Sequence, residues 1–164
     1  MPLEYHNLYS LNKLQYIKGK RPKVECIFCA IINRAEEVEK LLVFEGKHAF
    51  ISVNKYPYNS GHLLICPKRH IIDYRELTQD EELGIQLLLR KSLDVLDAHY
   101  SPSGYNIGYN MGEFAGASLP HLHMHVIPRY PNELGFIDIV GGAKIVIEDP
   151  EQTMKNLRKA FQSR

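Results

Sequence analysis

The chain has 164 residues, 45% hydrophobic and 24% charged, with 20 basic against 19 acidic side chains and a formal net charge of +1. That length supports one core rather than two comfortable domains, and so even a charge balance gives no global pull toward nucleic acid. No apolar run approaches the ~20 residues of a membrane span, and MPLEYHNLYS at the start lacks the apolar centre of a secretory signal, so a cytoplasmic protein is expected.

Residues 1–25 carry Lys13, Lys18, Lys20, Arg21 and Lys23 among Tyr5, Tyr9 and Tyr16. This basic N-terminal arm suits phosphates or nucleic acid, or it packs its tyrosines on the body or on a partner subunit. Residues 26–33 read as a short apolar helix or turn that opens with Cys26-Ile-Phe-Cys29. Three cysteines make no disulfide framework, so the pair reads as metal ligands, buried thiols or a redox couple. Residues 41–44 read as a strand, 45–47 as a turn and 48–53 as the returning strand. A loop rich in Pro, Asn and Gly follows over 55–61, and 62–66 form a third strand, ended by Pro67, with Cys66 in the core.

One long helix begins at Thr78, which forms a capping box with Glu81. Leu83, Leu87, Leu88, Val95 and Leu96 recur at helical spacing as its apolar residues, and the helix should end near His99, before Ser101-Pro-Ser-Gly104. Residues 105–109 read as a fourth strand, 110–120 as a loop of small residues, and 151–161 as a terminal helix. The segment 134–147, with Gly141-Gly142, is a candidate lid or dimer contact. Strands outnumber helices and lie as hairpin-like neighbours. The expected class is therefore α+β, a five-stranded antiparallel sheet with one long helix packed on it and a C-terminal helix.

The fifth strand is the informative one. His121-Leu-His-Met-His125 alternates strictly, which puts three imidazoles on one face and Leu122 and Met124 on the other, with Pro128 bounding the run. A neutral imidazole is both a nucleophile and a metal ligand. Just upstream, Asn110-Met-Gly-Glu-Phe-Ala-Gly-Ala-Ser118 offers an amide, two glycines and a hydroxyl. Glycines let backbone N–H groups approach an anion, so a phosphate held there would present its phosphorus to His123.

These residues resemble the histidine triad (HIT) superfamily. The resemblance rests on Ser118-Leu-Pro-His-Leu-His-Met-His-Val-Ile-Pro-Arg129, on the opening at residues 26–33 and on Gly61-His-Leu-Leu-Ile-Cys-Pro-Lys-Arg-His-Ile71, and it spans residues 25–130. Residues 54–62 and Tyr109-Asn-Met-Gly resemble the fragile-histidine-triad proteins and the HIT-type diadenosine tetraphosphate phosphorylases. The resemblance implies one HIT-like domain over 1–164 and a homodimer. It also implies cleavage of dinucleoside polyphosphates through a nucleotidyl intermediate on His123, resolved by water or phosphate. His125 would hold a phosphate oxygen or the ribose side of the site, and His121 would shape the pocket or bind metal. His62 matches a histidine packed near the triad, and Asn54 matches a residue that bonds the ribose hydroxyls. Asn110, Gly116 and Ser118 match the phosphate loop, where Ala117 replaces the Gln of many relatives and removes a donor. Cys26, Cys29, His70 and His121 match a structural zinc site, and no organic cofactor is implied.

Three other readings stay open. One is a nucleoside phosphoramidase of the HIT type. Another is a nucleotide-binding protein with weak catalysis. The third is a metal-dependent hydrolase with a catalytic ion on His121, His123 and His125, although Glu113 is the only carboxylate in the adjacent loop.

Overall fold

A computed structural model describes residues 22–39, 41–131, 133 and 148–163. Most of the basic arm and the segment 134–147 lie outside the described residues. Among these residues five strands form one sheet: β1 (Leu42–Glu45), β2 (Ala49–Val53), β3 (Leu63–Pro67), β4 (Gly104–Tyr109) and β5 (Met124–Arg129). Their order is β1-β2-β3-β5-β4 and every pairing is antiparallel, so β5 inserts between β3 and β4. The described helices are α1 (Ile27–Ile32), α2 (Gln79–Tyr100) and α3 (Pro150–Gln162). None is long and apolar enough to cross a membrane.

Both faces of the sheet are covered, and period-two alternation sorts the side chains between them. Ile51 of β2, Leu63 and Ile65 of β3, and Met124 and Val126 of β5 pack beneath α2 and α3, against Ile85, Leu88, Val95, Leu96, Leu157 and Phe161. Phe50, Leu64 and Cys66 point the other way, onto Phe28, Ala30 and Ile31 of α1. The site lies on this second face.

The capping box at Thr78 is present: its hydroxyl accepts from the Glu81 N–H while the Glu81 carboxylate accepts from the Thr78 N–H. The helix closes at Tyr100, and Ser101 takes a left-handed conformation with φ +46°. Two expectations are corrected. Leu83 and Leu87 are 59% and 55% exposed. The buried stripe of α2 is set by Ile85, Leu88, Ser92 and Val95, and at ~100° per residue each of the two exposed leucines lies far round the helix from Ile85. Pro128 does not stop β5, which runs on to Arg129 with Pro128 opposite Tyr105. The ladder to β3 covers only Met124 to Val126, so farther along that flank of β5 no strand among the described residues is left to miss a proline N–H. The Asn59 side chain donates to the Pro128 carbonyl instead, at 2.7 Å.

Candidate active site

The strand register brings the histidines together. Leu64 lies opposite His125, so His62, two residues earlier on the same face, sits diagonally beside it. His121 and His123 precede β5 in a segment fixed by the Leu122 N–H, which donates to the Ile71 carbonyl at 2.6 Å. Leu122, between them, is buried as well.

Backbone partners fix the ring tautomers. His123 Nδ1 lies 2.7 Å from the His121 carbonyl oxygen. A carbonyl only accepts, so Nδ1 carries the proton and Nε2 keeps its lone pair. The Tyr58 N–H donates to His62 Nδ1 at 3.1 Å, which makes that nitrogen an acceptor. His62 Nε2–H therefore donates to His125 Nδ1 at 3.0 Å. His125 is left with its proton on Nε2, a buried atom without a hydrogen-bond partner among the described residues. The His123 and His125 rings lie 4.9 Å apart, so one presents a lone pair beside the other's unused N–H.

Burial keeps these rings neutral. Desolvation lowers the His62 pKa to about 3, helped by its neighbouring histidines. It lowers that of His125 to about 4, with His123 adding to the effect. His123 is also pushed down by burial, partly offset by its bond to the carbonyl. An uncharged imidazole is the nucleophilic form.

His121 points elsewhere. Its Nε2–H donates to the Pro67 carbonyl at 3.0 Å, which turns Nδ1 toward Cys26 Sγ at 3.3 Å and Cys29 Sγ at 3.7 Å. His70 Nδ1 lies 3.4 Å from Cys29 Sγ. The four ligand atoms of Cys26, Cys29, His70 and His121 all fall within 4.8 Å of one another. A tetrahedral zinc with ligands at about 2.0–2.3 Å needs donor separations of roughly 3.3–3.8 Å; the Cys26–His121, Cys29–His70 and Cys29–His121 separations of 3.3, 3.4 and 3.7 Å fall in that range, so this donor set is compatible with the ion. Pro67 supplies the outer hydrogen bond that commonly orients a metal-bound histidine. Burial and the adjacent Cys26 raise the Cys29 thiol to about 11. No second metal-competent cluster occurs among the described residues, so the catalytic ion imagined on all three triad histidines has no carboxylate-bearing site there.

A cleft of about 960 Å³, counting space open to solvent, runs from the histidines along α1. His123, His125, Gly116, Ser118, Asn54 and Lys55 line it, and Ile27, Phe28, Ile31, Leu41 and Leu64 give it apolar surface. Gly116 has φ +86°, a conformation that favours glycine, and the Asn110 amide lies 3.7 Å from where its Cβ would be. Asn110 and Ala117 are not among the lining residues, and His62 sits behind His125 rather than on the wall. Sequence reasoning missed the apolar wall of α1, for which the signal was Ile27 and Ile31 at i, i+4 beside the cysteines. It also missed Tyr58, whose ring stacks on His125 at 6.2 Å, and Phe28, 5.0 Å from the His123 ring.

The family model described as HIT domain matches residues 35–132. A Mycobacterium tuberculosis protein named AP-4-A phosphorylase is 38% identical over 116 residues, 70% of this chain and 60% of that protein; this chain thus covers less than two thirds of that relative. The structure of a HIT family protein from Bacillus anthracis aligns with a TM-score of 0.61 at 32% identity, over 85% of this chain and 94% of the other. A zinc-bound histidine triad family protein from Mycobacterium smegmatis shares the fold, with a TM-score of 0.69 at 24% identity over 85% and 94% of the two chains.

Proposed function

The chain belongs to the HIT domain family, and from that premise we propose that it cleaves dinucleoside polyphosphates of the diadenosine tetraphosphate type through a nucleotidyl intermediate on His123. The observation that carries this reading is the 2.7 Å bond from His123 Nδ1 to the His121 carbonyl, which leaves Nε2 as the nitrogen free to react. The name of the Mycobacterium tuberculosis relative, AP-4-A phosphorylase, supports the substrate class.

With the nucleotide base in the apolar slot, the Nε2 lone pair forms an N–P bond as the P–O bond to the departing phosphate chain breaks. The chain leaves as an anion and needs no proton. Positive charge appears on the imidazole, and the Nδ1–H to carbonyl bond stabilises it. His125 Nε2–H, Ser118 and the amides around Gly116 donate to the phosphoryl oxygens, while Asn54 takes the ribose hydroxyls. Water, releasing a proton to solvent, or inorganic phosphate then attacks phosphorus, breaks the N–P bond and returns His123 to its neutral form. On this reading His121 acts through its carbonyl, and its ring belongs to the cluster with Cys26, Cys29 and His70. That cluster would hold a structural zinc ion, which when bound ties α1 to the chain after β3. The same reading makes residues 1–164 one HIT-like domain, acting as a cytoplasmic homodimer. The outer edge of β4, which pairs only with β5 among the described strands, supports a partner sheet there.

The test is turnover and binding by His123→Ala and His123→Asn. Both should lose at least about a thousandfold in turnover and still bind nucleotide; normal turnover in either refutes the role. Diadenosine polyphosphates and adenosine phosphoramidates, each with and without phosphate, should be run in parallel. Faster phosphoramidate cleavage would favour the phosphoramidase reading, and binding without turnover the weak-catalysis reading.

A further inference from the structure

Among the described residues, the apolar slot beside His123 carries a charged pair that the reaction does not use. Glu39, just before β1, and Lys55, just after β2, both line the cleft, and their side chains meet at 2.6 Å. Apolar Ile31, Val38 and Leu41 line the same cleft, and so do Ser52, Asn54 and Tyr56. Both side chains are 47% exposed, so the pair is open to the space a ligand would enter. Ion pairs this exposed hold weakly and exchange partners readily.

We infer that Glu39 and Lys55 read the edge of the base held in this slot, so that within the dinucleoside polyphosphate class a guanine end is held more tightly than the adenine end of the diadenosine compounds, which still bind and turn over. The inference rests on the function proposed above, which puts a nucleotide phosphorus at His123 and its base in the slot. A carboxylate beside an ammonium presents two acceptor oxygens next to N–H donors. The guanine edge is the complement: the N2 amino group and N1–H are adjacent donors, and O6 beside them accepts. Guanine can therefore take both carboxylate oxygens and the ammonium together. Adenine offers one amino group and the acceptor N1 on that edge, so it engages a single carboxylate oxygen and forgoes one charge-assisted bond. Bonds to an ionised partner are the stronger kind, and losing one weakens affinity by about tenfold or more. The apolar walls grip any purine face alike, so discrimination falls to this rim.

Calorimetric titration of the full chain with GMP, IMP and AMP tests the inference. IMP keeps O6 and N1–H but lacks the N2 amino group. GMP should bind about tenfold tighter than AMP, with IMP between them. Glu39→Gln replaces one acceptor oxygen by an amide donor that opposes the guanine donors, yet it can still accept from the adenine amino group. It should therefore weaken GMP about tenfold and leave AMP within about twofold, and the retained AMP binding reports that the variant is folded. Equal affinity of the unaltered chain for GMP and AMP overturns the inference. So does an equal loss for both nucleotides in Glu39→Gln. Binding of none of the three sinks the proposed function and this inference with it, which separates the two failures.

Discussion

A single backbone carbonyl decides what His123 can do. The His121 carbonyl holds Nδ1–H, so chain geometry and not pH leaves Nε2 as the nitrogen with a free lone pair. His125 is set from the other side: the Tyr58 N–H fixes His62, and His62 fixes His125 as a donor. His62→Leu removes that last link while leaving the cleft wall unchanged. We expect kcat to fall about 10–100-fold with KM changed little, as for other outer partners of a reactive imidazole; unchanged kcat would show that His62 only packs. The same residue carries a pH signature. Its folded pKa is about 3 against 6.5 for the free side chain, so between those values the unfolded chain binds the extra proton. Stability from this group is full above pH 6.5 and drains as pH falls toward about 3, by up to about 1.4 kcal/mol per pH unit. Urea denaturation from pH 7 to pH 4.5 should show a shallower loss in His62→Leu than in the unaltered chain. The triad alternation and His62 were legible in the sequence; the Tyr58 N–H and the His121 and Pro67 carbonyls were not, because backbone groups carry no residue signature.

At the scale of elements, α2 shows which patterns can be read along a chain and which depend on neighbours. Its start was legible because the capping box is local: Thr78 and Glu81 satisfy each other's backbone groups three residues apart. Its buried stripe was misread, since Leu83 and Leu87 also fall at helical spacing but face away from the sheet. Only the placement of α2 on β2 and β3 selects Ile85, Leu88, Val95 and Leu96. Paired substitutions expose the difference. Leu96→Ala should destabilise by about 2–5 kcal/mol and Leu87→Ala by less than about 1 kcal/mol, read from urea midpoints at a common slope. Comparable losses would mean that Leu87 is covered in solution. Thr78→Ala should cost about 1 kcal/mol in the same assay. The continuation of β5 through Pro128 was illegible for a similar reason: whether a strand tolerates proline depends on where its neighbour ends.

Across the whole molecule, the sheet divides the work. One face packs α2 and α3 into the main core, and the other carries α1, the cysteines and the cleft. The element types and the α+β class followed from periodicity, whereas the insertion of β5 between β3 and β4 joins residues about 60 positions apart and left no local mark. The Cys26, Cys29, His70 and His121 cluster likewise links three distant segments, and it became legible through family resemblance rather than spacing. Purified protein should contain one zinc per chain, and Cys26→Ser or a strong chelator should remove it and lower the melting temperature. Metal-free protein of unchanged stability would make the cluster a set of packed thiols and imidazoles. The proposed reaction turns on two successive displacements at one phosphorus, and stereochemistry at that atom reads them directly. A dinucleoside polyphosphate made chiral with sulfur and oxygen isotopes at the attacked phosphorus should give product with retained configuration, because each in-line step inverts once. Net inversion would mean that water or phosphate attacks the substrate in one step, with no bond to His123.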